Sequence, residues 1–199
     1  MRALRFVAAC LFALFSSACL VVSLQPVYEP ETIAFDPALV GAWVDTDEGM
    51  TVTFERGEWH SYHVTLAQRD DRLRVSARLT RAGERLFLDL SPLDGADLPL
   101  FQLPVHGIYR LEIDGDRLSL ADLNYELLER KVRAGSAGLP MVIDARRNIV
   151  ITASTGELRR WLVANAADED VFASPTLLTR RGAPVEPLPA VPPPQVTPR

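Results

Sequence analysis

Cysteine is almost missing from this chain: Cys10 and Cys19 are the only two among 199 residues. Everything after residue 19 is therefore built without a disulfide, and no C-x-x-C pair is present to hold a metal or run redox chemistry. Histidine is nearly as scarce, at His60, His63 and His106. His60 and His63 stand three apart in "WHSYH", a spacing that would suit a chelate on a helix. The surrounding alternation reads as a strand, where positions three apart face opposite ways. His106 falls on the polar side of its own alternation, opposite Val105, Tyr109 and Leu111, and is expected at an exposed rim. There is no Walker loop, no dinucleotide fingerprint and no G-x-S-x-G elbow. The acidic run Asp45, Asp47 and Glu48 starts like a calcium loop, but Gly49 and Arg56 occupy places where carboxylates should follow, so a solvated turn is expected. No catalytic, metal or cofactor residues emerge, and the protein is expected to be non-enzymatic.

Positive charge is also short. Lys and Arg number 21 against 26 Asp and Glu, a net charge of −5. Removing residues 1–18 takes away Arg2 and Arg5 and leaves 19 against 26, a net −7. This argues against a nucleic-acid partner and against an electrostatic grip of the whole chain on anionic lipid. A cationic patch inside the acidic total remains compatible with these figures.

Long apolar runs occur only at the N-terminus, where Arg2 and Arg5 precede an apolar stretch over 6–15 and small residues before Cys19. That is the organisation of an export signal. Three fates follow from it. Ser16-Ser17-Ala18-Cys19 resembles the lipobox of bacterial lipoproteins, with Ser16 where Leu is customary, which implies diacylglycerol on Cys19. Ser16 and Ala18 also satisfy an ordinary signal peptidase, and the uncharged stretch 6–24 approaches the ~20 residues that cross a bilayer. An exported chain whose first residue is its one thiol favours the fate that blocks the thiol. We therefore expect a signal peptide over 1–18 and a lipid anchor at Cys19. "VAAC" at Cys10 leaves too few residues before it for a signal.

Beyond the anchor, residues 19–38 carry Pro26, Pro30 and Pro37 and no sustained period, and read as an extended tether. Alternation then takes over. Leu73, Val75, Ala77 and Leu79 oppose Arg74, Ser76 and Arg78, the two-residue period of a strand with one buried side. The same period predicts strands near 51–56, 60–67, 86–90, 105–113 and 118–121, joined by turn residues that include the hairpin signal Asp114-Gly115. Neighbours joined so tightly are antiparallel. Two amphipathic helices interrupt the series. One spans about 122–132, with Leu123, Leu127, Leu128 and Val132 on its stripe. The other begins at Ser154, whose side chain and that of Glu157 form a capping box ahead of Leu158, Trp161 and Leu162. A hairpin around Arg146 and Arg147 separates the helices, and "TLLTRR" supplies a last strand. Residues 182–199 form a Pro-rich tail, with seven prolines in the last sixteen positions, and cannot join a sheet or a helix. The expectation is one α+β domain over 39–181, mainly an antiparallel sheet in a closed or partly open barrel with two helices.

Two resemblances add to this. "ACLVVSLQPVY", "FDPALVGAW", "LFLDL", "PVHGIYRLEIDGDRLSLADL" and "ITASTGEL" together resemble a family of uncharacterised bacterial envelope lipoproteins, a likeness that implies location and no reaction. Gly41-Ala42-Trp43 at the entry to the meander resembles the G-x-W signature of lipocalins and other calycin barrels. That resemblance implies that Trp43 closes one end of a barrel and that Arg180 or Arg181 packs across its ring. The implied protein is a membrane-anchored lipoprotein, its domain facing the periplasm, that binds another envelope component. Leu20 after Cys19, in place of Asp, resembles outer-membrane sorting. The alternative is a lipocalin-like carrier of a small apolar ligand.

Overall fold

In the computed structural model residues 20–45, 48–93 and 103–182 are described; the expected signal segment over 1–18 with Cys10, the expected lipidation site Cys19, Asp47 and the tail after Gly182 lie outside the described residues. The meander starts with β3 (Gly41–Asp45), after two short strands, β1 (Val21–Ser23) and β2 (Ile33–Ala34). It continues through β4 (Met50–Arg56), β5 (Ser61–Gln68), β6 (Asp71–Ala82), β7 (Arg85–Ser91), β8 (Gly107–Asp114) and β9 (Arg117–Asp122). Each strand from β3 to β9 pairs antiparallel with the next. The last strand, β12 (Thr176–Arg180), inserts between β9 and β3, so eight strands close into an up-and-down barrel. Closure leaves no unpaired edge within the ring. The two-residue turn after Asp114 places Gly115 at φ 56, where a Cβ would be strained and glycine is not.

Alternation along the strands separates two cores. Trp43, Val52, Phe54, Tyr62, Leu88 and Leu111 point inward and fill the barrel with other apolar side chains. On β7 to β9 the intervening residues Phe87, Ile108 and Ala121 are buried as well, on the outer face. That face is covered by helix α1 (Tyr125–Arg133), helix α2 (Thr155–Ala164) and a three-stranded sheet of β1, β11 (Ile149–Ile151) and β10 (Met141–Ile143). Strands buried on both faces explain why "LFLDL" is apolar at nearly every position.

The tether expected over 19–38 is instead part of the fold from Leu20 onward. β1 pairs parallel with β11, β2 pairs with β6, and Val27 is completely buried. Arg159 on α2 donates to the Val27 and Arg81 carbonyls at 2.7 and 2.8 Å and holds the segment against the barrel. The segment lacks a period because it binds through scattered, sequence-distant contacts, and its prolines spare donors that no ladder requires.

Helix α1 starts at Tyr125, three residues later than expected. Asn124 caps it by accepting the Leu127 N–H at 3.1 Å, while Asp122 belongs to β9 and Leu123 bridges to Phe172. Helix α2 starts where its capping box predicts. Ser154 Oγ accepts the Glu157 N–H at 3.4 Å, and the Glu157 carboxylate accepts the Ser154 N–H and O–H at 2.9 and 2.7 Å. Leu158, Trp161 and Leu162 are its buried stripe, each contributing about 1.5–3 kcal/mol by leaving water. The Ser154 hydrogen bonds hold the Glu157 carboxyl below the usual carboxylate range. Its contribution to stability is therefore present above that range and lost as pH falls through the lowered value. Ser154→Ala is expected to cost about 0.5–2 kcal/mol in denaturant unfolding. In the same variant the Glu157 carboxyl titration, followed by NMR, returns toward the ordinary glutamate value.

Candidate functional site

One end of the barrel is shut by Trp43. Its ring is fully buried, and its Nε1 donates to the Leu39 carbonyl at 2.9 Å, which fastens the short 3-10 turn Pro37–Leu39 across the opening. Arg180 lies over the indole with its guanidinium carbon 4.2 Å from a ring centroid. Its planar fork donates to the carbonyls of Ala38 and Val40 at 2.5 and 3.2 Å, and its Nε to Asp116 at 3.0 Å. A guanidinium can stack and donate from its edge at once, which an ammonium cannot. Trp43 and Arg180 thus meet, while Arg181, the residue after the strand, is exposed, and its backbone N–H donates to the Ala42 carbonyl at 2.7 Å. Tyr62 completes this end. Its ring stacks on Phe35 with centroids 4.9 Å apart, its O–H donates to the Asp36 carbonyl, and burial pushes the phenol above its ordinary value.

The other half of the interior has a different character. Met50, Leu66, Val75, Leu90, Tyr109 and Leu120 face inward but stay partly accessible. Leu73, on the same face of β6, is 60% exposed. Tyr109 and Asp122 are register partners on this side. Burial raises the Tyr109 phenol, with the Asp122 charge adding to it, and partial desolvation raises the Asp122 carboxyl. This end of the interior is thus lined by partly accessible apolar side chains, with the Tyr109 phenol and the Asp122 carboxyl side by side at its margin. It suits a molecule with an apolar body and a polar tip.

No group of His, Cys, Asp and Glu that could hold a metal exists among the described residues. His60 sits in the β4–β5 turn and His63 on β5, so the structure does not bring them together. Asp45 is buried and accepts the Glu48 N–H at 3.1 Å, so the turn expected there has one carboxylate turned inward.

His106 corrects its expected place at an exposed rim. It lies just before β8, its side chain is 12% exposed, and its Nδ1 is 2.6 Å from Asp89 Oδ1. The other Asp89 oxygen accepts the buried Val27 N–H at 2.8 Å, and His106 and Ser23 exchange backbone hydrogen bonds at 2.8 and 2.9 Å. The pair ties β7, the approach to β8 and the N-terminal segment into one node. Its trace in the sequence is Asp89 itself, an acid at the centre of an otherwise apolar strand.

A second feature is the β4–β5 turn. Trp59 and His60 both have positive φ, 52° and 62°, and the Ser61 N–H bonds the Glu58 carbonyl at 2.9 Å, the pattern of a type I′ turn. Such turns favour Asn-Gly, and bulky residues there are strained. Trp59 is nonetheless 80% exposed.

Closure by β12 and the Trp43–Arg180 plug define the class: a closed eight-stranded antiparallel barrel of lipocalin-like architecture, with two helices on its outer face. No protein-family model, curated protein or solved structure matches the chain.

Proposed function

We propose that this protein is a lipid-anchored envelope protein whose barrel binds a small, mainly apolar molecule in the chamber opposite Trp43. The observation that carries the reading is the cluster of inward-facing, partly accessible Leu66, Val75, Leu90 and Leu120 at the end of the barrel away from the Trp43–Arg180 plug. A barrel built only as a scaffold gains by filling both halves, because each apolar side chain left half-wet forfeits part of its transfer energy. The anchoring half of the reading rests on the export signal and on Cys19, as the thiol that acylation would block.

An apolar naphthylamine dye should brighten on binding the purified domain. Leu66→Arg, which puts a charge into the chamber, should abolish the signal, and Thr53→Arg on the outward face of neighbouring β4 should leave it intact. Equal binding by both variants would move the ligand out of the barrel. Labelled palmitate should enter the full chain, and Cys19→Ser should remove the label. The second reading, docking of another envelope protein, is favoured by Trp59, since an exposed indole on a strained turn has the character of a binding anchor. A photo-crosslinker at position 59 that captures one protein in cells, with no dye binding, would favour it.

A further inference from the structure

Leu20, one peptide bond after Cys19, is not on a leash. Its N–H donates to Asn148 Oδ1 at 3.2 Å and its carbonyl accepts the Ile149 N–H at 2.8 Å. Successive Cα atoms are about 3.8 Å apart, so a lipid on Cys19 would bring the surface around Leu20 to the bilayer. That surface has the composition for it. In the β1-β11-β10 sheet Val22, Val150 and Val142 stand side by side in register. The alternate residues Val21, Ile149, Ile151, Met141 and Ile143 pack into the core, so the three valines and Leu20 turn outward. Leu20 and Val142 are 53% and 52% exposed.

Charge favours the same occupant. The hairpin beside Leu20 carries Arg146 and Arg147, and α1 ends in Arg130, Lys131 and Arg133. The helix is held to the hairpin by Arg147 to Glu129 at 2.9 Å and by the Tyr125 O–H to the Arg147 carbonyl at 2.7 Å. Within the hairpin and α1 themselves these five cations outnumber the three acids Glu126, Glu129 and Asp144, in a chain that is acidic overall. An apolar strip with a basic border matches the acyl region and anionic headgroups of a phospholipid leaflet.

We infer that the outer face of the β1-β11-β10 sheet, formed by Leu20, Val22, Val142 and Val150 and bordered by Arg146 and Arg147, lies on the phospholipid surface. The inference rests on the reading that Cys19 is acylated, and its test separates the two. Cys10 is removed by a cut before Cys19 and no further cysteine follows, so Val142→Cys in the acylated protein gives one free thiol for an environment-sensitive fluorophore. Trp59→Cys gives an exposed comparison site on the β4–β5 turn, and β4 stands across the ring from β8, against which β1 packs. In vesicles of phosphatidylcholine and phosphatidylglycerol carrying nitroxide lipid, the probe at 142 should be quenched and the probe at 59 should not. Equal quenching, or quenching at 59 alone, in protein that carries the palmitate label would overturn the face and leave the anchor standing. A crosslinker at 142 that captures a protein in cells would overturn the lipid occupant. Absence of palmitate label would overturn the anchor, and the inference with it.

Discussion

Trp43→Ala is expected to lower the unfolding free energy by about 3–5 kcal/mol, the range for deleting a buried aromatic side chain. The indole is fully buried, and its removal opens a void, frees the Leu39 carbonyl and leaves Arg180 without the ring beneath it. Arg180→Ala should cost less, since Asp116 is exposed to water while the Ala38 and Val40 carbonyls lose their donor. Because the two residues touch, the double variant should cost less than the sum of the singles, with a coupling of about 0.5–3 kcal/mol. Denaturant unfolding of the four proteins measures it. Strict additivity would mean that the plug is two independent contacts. Arg180→Lys should recover little, because an ammonium cannot lie on the ring and fork to two carbonyls.

Asp89→Ala is the second large effect, expected to destabilise by about 1–3 kcal/mol for each of the two donors it leaves unsatisfied. Asp89 has no exposed side-chain surface and serves two donors, the imidazole of His106 and the N–H of Val27. Its loss strands the fully buried Val27 amide and loosens the N-terminal segment from β7. Amide exchange should accelerate at Val27 and Ser23 well before it does at the barrel strands β4 and β5. His106→Ala should also destabilise, by leaving the carboxylate buried beside a single donor. Replacing both residues together should cost less than the two separate losses, since neither side chain is then left beside a missing partner.

Most strands were legible because their chemistry is local. A period of two over 73–79 assigns inner and outer faces without knowledge of any partner, and "STGEL" contains both halves of a cap within four residues. The start of α1 was less legible, because Asp122 and Leu123 fit a helical stripe as well as the end of a strand, and only the bridge from Leu123 to Phe172 decides between them. The lead-in was misread for a related reason. Val27 carries no periodic neighbours, and its burial depends on Asp89 and Arg159, which lie 62 and 132 residues away.

The sequence by itself determined which segments pair as hairpins, which faces are apolar, where α2 begins, and that no thiol follows residue 19. Each depends on residues within one turn or one hairpin of one another. Only the tertiary structure decided that β12 reaches across to β3 and closes the ring, that Arg180 rather than Arg181 covers Trp43, that His106 is buried against Asp89, and that the lead-in gives one strand to a second sheet and another to β6. Those outcomes join residues from distant parts of the chain. They are selected by the closure of the barrel and by the burial of its outer face, which no local pattern encodes.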